Sequence, residues 1–445
     1  MADPAITAAQ APRESDFSPR KIRISLVVLL GTLFGSSILP MMAISLLLVP
    51  MTEEFGWSRT EYSGGMAAMM WAGALSAPLI GRYVDRVGVR PTIIGGTIAV
   101  ALLVMLMSLQ DGSLLQFYGS FGLLGIIGST ALGYSKVIGA LFTEHRGKAL
   151  AIFGVESSLA GATAPLLVMW LISNYGWRGM FVGLGLIILA VVPILYFYLD
   201  EPDTPVHPAT GGTAPVLPGL VTRDVVRTRT FWLITIASFI AIGPAMGLMP
   251  HYVPYLMSRG FDGAYAAVII SASTIAMAVG TVAGGWVLDR AKNAKIAAPF
   301  SVLSTLGILM LMAASSTFGG VALLVAASSL VGFAGGAKRP MGTYFHMRFF
   351  GLRSFAEVTG LQGAFMAAGM GIAPIAVGYS YDRLRTYQPA FVVMVAGLAI
   401  TVVLYLLLGP YRYSKDFADA PFEPEELERG GIKAEGVTVS TAISG

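Results

Sequence analysis

Five ionisable residues stand inside otherwise apolar stretches of this chain, where a charge is costly and is by default a suspect for function. Lys136 lies in GYSKVIGA, about two helical turns before the end of an apolar run. Lys338 and Arg339 lie in GGAKRPMG, at the equivalent depth of a later run. Being adjacent, these two cannot face the same way on a helix. Glu156, in FGVESSLAGA, is the acid set well inside a run, and burial there raises a carboxyl pKa. His251, in GLMPHYVPYL, is flanked by Pro250 and Pro254, which break the run around it. Basic groups at matched depths can hold an anion, and an acid or a histidine can pass a proton. The competing reading is structural: long basic side chains snorkel to the membrane surface, Glu156 neutralises Lys136 or is solvated, and His251 is a satisfied interface residue. Tyr134, Tyr252, Tyr344 and Gln362, with Ser135, Ser157 and Ser158, are further hydrogen-bonding candidates, and Trp71, Phe239 and Phe365 an apolar wall. Each of these equally suits helix packing.

The elements that position these groups are membrane spans. The 445 residues are 55% hydrophobic and 12% charged, against about 25% charged in a soluble chain, and the mean hydropathy is +0.72. A large soluble core does not explain that deficit, because a soluble surface must still be covered; lipid-facing helices do. Twelve spans are expected: Ile22–Pro50, Tyr62–Ile80, Thr92–Leu109, Leu114–Phe142, Ala149–Ile172, Met180–Leu199, Phe231–Leu256, Tyr265–Leu288, Ile296–Ala314, Gly320–Phe345, Phe355–Tyr379 and Phe391–Leu408. The chain therefore divides into a disordered tail (1–20), a six-helix half (21–199), a polar linker (200–230), a second six-helix half (231–410) and a disordered tail (411–445). The linker's Pro, Gly and Thr argue against packed structure, although VTRDVVRTR suits a short surface helix. The N-terminus has no apolar run before Arg20 and does not read as a secretory signal. With the N-terminus inside, the even loops and tails hold 21 of the 29 Lys and Arg residues and the odd loops hold 5. That asymmetry predicts both termini on the cytoplasmic side.

The hairpin GRYVDRVGVR, between the second and third spans, recurs more weakly as GGWVLDRAKNAK from Gly284. Asp85 and Asp289 are 204 residues apart, as are Arg86 and Arg290. Further matches at nearly the same shift link the ends of spans four and ten, and Pro165 with Pro374. Two duplicated halves that rock about a central cavity are the physical reading. In the hairpin, Gly81 allows close helix contact and Gly88 a tight turn. Asp85 suits a neighbouring helix N-terminus, and Arg86 and Arg90 suit acids or lipid phosphates. Gly81, Asp85, Arg86, Arg90, Asp289 and Arg290 thus form a candidate conformational latch, or else a plain positively charged loop.

Other classes fit poorly. There are no cysteines, no metal-ligand spacing, no GKS- or GKT-terminated phosphate loop and no carbonyl-rich filter repeat. The net charge of +4 sits between spans, so nucleic acid is not an expected partner. Neither a cofactor nor an enzymatic activity is expected.

On the hairpin, its partial repeat and EHRGKALAI before span five, the chain resembles the major facilitator superfamily from about Lys21 to Pro410. In the second copy of the hairpin, Ala291 and Asn293 depart from the fuller pattern. The resemblance implies an all-α polytopic membrane protein of twelve helices in two pseudo-symmetric halves, usually a monomer. PHYVPYLMSRGFD, FGLRSFAEVTGLQGA and GYSYDRLRTYQPAF resemble the bacterial monocarboxylate porters and oxalate-formate antiporters. That likeness implies alternating-access transport of a small organic anion with a proton, in a bacterial inner membrane. The alternatives it leaves are carboxylate exchange and export of another small organic or amphipathic solute. Those proteins often carry a basic anchor in helix eight or eleven; this chain has none in either span, and Lys136 or Arg339 takes that place.

Overall fold

A computed structural model describes residues 18–35, 38–131, 133–134, 137, 156–199, 219–262, 265–315, 320–351 and 353–413. The described residues form helices, with one isolated bridge between Gly219 and Gly351. We number them α1 (Pro19–Phe34), α2 (Ile38–Phe55), α3 (Arg59–Val87), α4 (Val89–Leu106), α5 (Leu114–Gly128), α6 (Glu156–Tyr198), α7 (Thr222–Val225), α8 (Arg229–Leu248), α9 (Tyr252–Ser258), α10 (Tyr265–Arg290), α11 (Ala297–Ala313), α12 (Gly320–Phe350), α13 (Phe355–Leu384) and α14 (Gln388–Leu406).

Eleven stretches among the described residues are long and apolar enough to cross a membrane. One of them, Leu159–Tyr198, carries two of the expected spans. It is divided at Gly176, whose φ of 69° and ψ of 175° interrupt the helix where the loop SNYGWRG was expected. The chain is a multi-pass membrane protein of all-α architecture.

Local chemistry sets the helix ends. Ser58 accepts from the Glu61 N–H at 3.1 Å while the Glu61 carboxylate accepts from the Ser58 N–H at 2.8 Å, a reciprocal capping box opening α3. Gly88, at φ 102°, separates α3 from α4 by a single residue, a conformation that L side chains rarely adopt. Met249 and Pro250 break the helix after α8, and α9 resumes at Tyr252, so the prolines around His251 interrupt the expected seventh span.

The described residues fall into two compact units. The first comprises those of Met1–Pro208 with Pro250–Met257 and Asp262–Ser271. In it α3 packs on α5, while α1, α2 and α4 pack on α6. The second comprises those of Ala209–Met249, Ser258–Phe261 and Ala272–Gly445, with α11 against α12 and α14, and α8 against α13 and α14. The contacts therefore divide the chain differently from the sequence boundary at residue 231. The end of span seven and the start of span eight belong to the first unit, where Ser271 Oγ donates to the Ala162 carbonyl at 2.6 Å.

Each unit contains a helix pair in backbone contact. In the first, a Cβ on Gly125 of α5 would run into the Met69 carbonyl of α3. In the second, a Cβ on Gly332 of α12 would run into the Ser273 carbonyl of α10, and one on Gly336 into that of Met277. Met69 and Ser273 are 204 residues apart, the shift of the hairpin repeat. Small residues let membrane helices approach this closely, where dispersion contacts replace a hydrophobic driving force.

Two regions whose composition argues against packing contain packed residues. The end of the linker is packed: Leu220 and Val225 are buried, the Leu220 N–H donates to the Phe350 carbonyl at 2.9 Å, and Thr222 bonds Glu357. The apolar side chains of LVTRDVV outweigh its polar neighbours. In the expected C-terminal tail, the N–H groups of Arg412 and Tyr413 both donate to the Arg348 carbonyl at 3.0 Å.

Candidate functional site

In the second unit, Lys338 sits on α12 against α11. Its Nζ donates to Ser304 Oγ at 3.3 Å, and Ser304 is buried. Among the described residues this is the one polar partner of the ammonium. An ammonium has three N–H donors, so two remain for something else. Ser301, one turn earlier on the same helix, buries a hydroxyl that has no hydrogen-bond partner among the described residues. Arg339, the next residue, is exposed instead. Helical geometry turns adjacent residues about 100° apart, which separates the two basic groups.

Two other candidates in this unit already have partners. Gln362 is buried and its Nε2 donates to Ser238 Oγ at 3.3 Å. The Tyr344 hydroxyl accepts from Arg348 Nη1 at 2.8 Å. Arg348 Nε also donates to the Tyr413 carbonyl at 2.8 Å, and its guanidinium lies 4.3 Å from the centre of the Tyr411 ring. Burial pushes the Tyr411 phenol upward, reinforced by Tyr344 and opposed by Arg348. Tyr344 therefore helps to hold the tail.

In the first unit, His251 is fully buried and its Nε2 lies 3.0 Å from Ser63 Oγ. Ser63 Oγ also donates to the Arg59 carbonyl at 2.7 Å. A hydroxyl has a single proton, and the carbonyl takes it. With that proton on the carbonyl, Ser63 accepts from His251, and the tautomer that satisfies both contacts carries its proton on Nε2. Tyr134 is buried in an apolar cluster with Ile24, Val28, Val89, Ile93 and Leu195. A Cβ on Gly31 would meet its ring and hydroxyl, so Tyr134 fills a glycine-shaped gap in α1. Tyr252 opens α9 and is partly buried. Glu156 begins α6, but its side chain, like all of Lys136, lies outside what is described.

In the hairpin, Arg90 donates to the carbonyl of Tyr196 in the last turn of α6, and its guanidinium lies 5.6 Å from the Tyr196 ring centre. A cation at a helix C-terminus satisfies an orphan carbonyl and the helix dipole. Arg90 thus bonds a backbone carbonyl where a carboxylate or a lipid phosphate was expected. Arg290 turns back on its own helix, 3.9 Å from the Trp286 ring centre, with Nη1 donating to the Trp286 carbonyl at 3.2 Å. Arg86 is exposed, and the side chains of Asp85 and Asp289 lie outside what is described. No described atom stands within 4 Å of a Cβ built on Gly81, so the close helix contact expected there is made elsewhere, at Gly125 and Gly332.

Nothing in the sequence marks Ser304, Ser63 or Ser238 as partners of the candidate residues, since hydroxyls are frequent in membrane helices. Their roles emerge from which helices pack together.

The sequence pattern of the Major Facilitator Superfamily matches residues 26–351. The chain is 24% identical to monocarboxylate transporter 11 of Mus musculus over 361 residues, covering 79% of each protein. It is 25% identical to the gallate transporter of Pseudomonas putida over 402 residues, covering 78% of this chain and 85% of that one. Among solved structures, a bacterial homologue of the human lysosomal transporter Spinster superposes with a TM-score of 0.69 at 17% identity, over 88% of this chain and 97% of that one.

Proposed function

The chain belongs to the Major Facilitator Superfamily, and from that premise we propose that it carries a small organic carboxylate across the membrane by alternating access, coupled to a proton. The observation that carries this reading is the Lys338 ammonium, held inside a membrane span with one hydroxyl partner among the described residues. An intramembrane cation needs an anionic or strongly polar partner to offset its desolvation, and a carboxylate supplies two acceptor oxygens. Similarity to a monocarboxylate transporter and a gallate transporter supports the same substrate class.

In this reading Lys338, positioned by Ser304, holds the carboxylate in one half of the transport cycle. Lys136 and Arg339 are the further basic groups of the path, and Gln362, Tyr134, Tyr252 and Tyr344 its hydrogen-bonding candidates. His251, with Nε2 protonated toward Ser63, and Glu156 are the candidate proton carriers. Gly81, Asp85, Arg86, Arg90, Asp289 and Arg290 form the latch of one open state. The distribution of Lys and Arg supports cytoplasmic termini, and a monomer in a bacterial inner membrane is the working form.

The test is uptake into proteoliposomes under an imposed inward proton gradient, with labelled carboxylates from formate and lactate to aromatic acids. The reading expects accumulation that collapses with a protonophore. Exchange only after preloading would make the protein an antiporter. Uptake of neutral solutes, unaffected by carboxylates, would overturn the substrate class.

A further inference from the structure

In the second unit, Gly342 stands one turn beyond Lys338 on α12. The helical repeat places its Cα about 6 Å along the axis and about 40° round from that of Lys338. The two positions therefore share one face of the helix. Beyond its own helix, one described atom stands within 4 Å of a Cβ built on Gly342: Gln362 Oε1, at 3.8 Å. The glycine thus leaves a small gap bordered by an amide oxygen.

Gln362 reaches this gap from α13 and is itself buried. Its Nε2 donates to Ser238 Oγ on α8 at 3.3 Å, which orients the amide. Oε1 has no hydrogen-bond partner among the described residues. A carbonyl oxygen can only accept, so the gap suits a hydrogen-bond donor.

We propose that Gln362 reads a hydroxyl group on the carried acid. With the carboxylate at Lys338, the hydroxyl sits beside Gly342 and donates to Gln362 Oε1. The substrate class is then a hydroxylated carboxylate whose two polar groups lie about one helical turn apart, about 6 Å. This deepens the carboxylate reading and rests on it. A cationic donor at that distance would be repelled by Lys338. An ether or a second carboxylate would set its lone pairs against those of Oε1. An unsubstituted acid leaves Oε1 without a partner, and the hydroxyl supplies one.

Rigid aromatic acids serve as rulers. The experiment measures KM for labelled benzoate, ortho-hydroxybenzoate, para-hydroxybenzoate and para-methoxybenzoate, with the full-length protein in proteoliposomes under one inward proton gradient. The para hydroxyl points away from the carboxylate, the ortho hydroxyl folds back on it, and the methoxy group keeps the oxygen but loses the O–H. Wild type is expected to show a KM about fivefold lower for para-hydroxybenzoate than for the other acids, the value of an ordinary neutral hydrogen bond. Gly342→Ala puts a methyl group in the gap and leaves Gln362 in place; Gln362→Leu removes the acceptor. Each is expected to bring para-hydroxybenzoate and benzoate to parity. The ratio is taken within one protein, so a change in yield or reconstitution does not move it. Parity in wild type, an equal preference for para-methoxybenzoate, or an undiminished preference in either variant would overturn the proposal and leave the carboxylate reading standing. Uptake of none of these acids would overturn it too, and uptake of lactate by the same vesicles then decides whether the carboxylate reading falls with it.

Discussion

Lys338 Nζ and Ser304 Oγ, 3.3 Å apart, join two membrane spans through a cation with one polar partner among the described residues. The serine orients the ammonium, and the ammonium keeps donors in reserve. Ser304→Ala is therefore expected to raise KM for the carboxylate about fivefold, near the ~1 kcal/mol of an ordinary hydrogen bond, with little change in protein yield. Concentration-dependent uptake checks it. An unchanged KM would make the contact incidental.

The His251–Ser63 pair predicts a graded series in stability. His251→Leu leaves Ser63 without its donor and is expected to lower stability by about 1–3 kcal/mol. His251→Gln, whose amide N–H can replace Nε2–H, is expected to retain most of it. Thermal unfolding in detergent separates the two. Transport separates coupling from structure: His251→Gln is expected to lose proton-driven accumulation but to keep exchange between preloaded vesicles and medium.

Backbone contact at Gly332 predicts sensitivity to a single methyl group. Gly332→Ala drives a Cβ into the Ser273 carbonyl, and overpacking of this kind costs about 1–3 kcal/mol. Gly335, three residues on, has no described atom within 4 Å of a built Cβ. Gly335→Ala is expected to be neutral or to stabilise by up to ~1 kcal/mol, the helix preference of alanine over glycine. Melting temperatures of the two variants give the comparison.

Tyr411, beyond the last span, predicts a loss of stability in alkali. Its phenol is raised above the ordinary value, chiefly by burial. A group whose folded pKa is raised contributes stability that is complete below the unfolded pKa, about 10 for tyrosine, and is lost as pH rises through the folded value. The melting temperature of wild type is expected to fall above about pH 10 more steeply than that of Tyr411→Phe.

The spans were legible because lipid imposes one rule over some twenty residues at a time. Gly88 and the prolines around His251 were legible because each has a single backbone consequence. The close pairing of α3 with α5 and of α10 with α12 was foreshadowed only by glycine content and the 204-residue shift. The partners Ser304 and Ser63 were not legible, because a serine in a membrane helix bonds its own backbone as readily as a neighbour; Ser63 does both. The packed ends of the linker and of the C-terminal tail were masked by polar composition, although Leu220, Val225 and Tyr413 supply the buried contacts. The charge of Arg90 is visible in sequence and suits acids or lipid phosphates, while the Tyr196 carbonyl it bonds is not visible there.

The most direct measurement is carboxylate uptake by wild type and Lys338→Ala, reconstituted at equal density under the same inward proton gradient. The account predicts accumulation by wild type, collapse with a protonophore, and at least about a tenfold loss in Lys338→Ala, the order expected when a charge-assisted contact is removed. Equal accumulation by the two proteins would contradict it, and would place the anion somewhere other than beside Ser304.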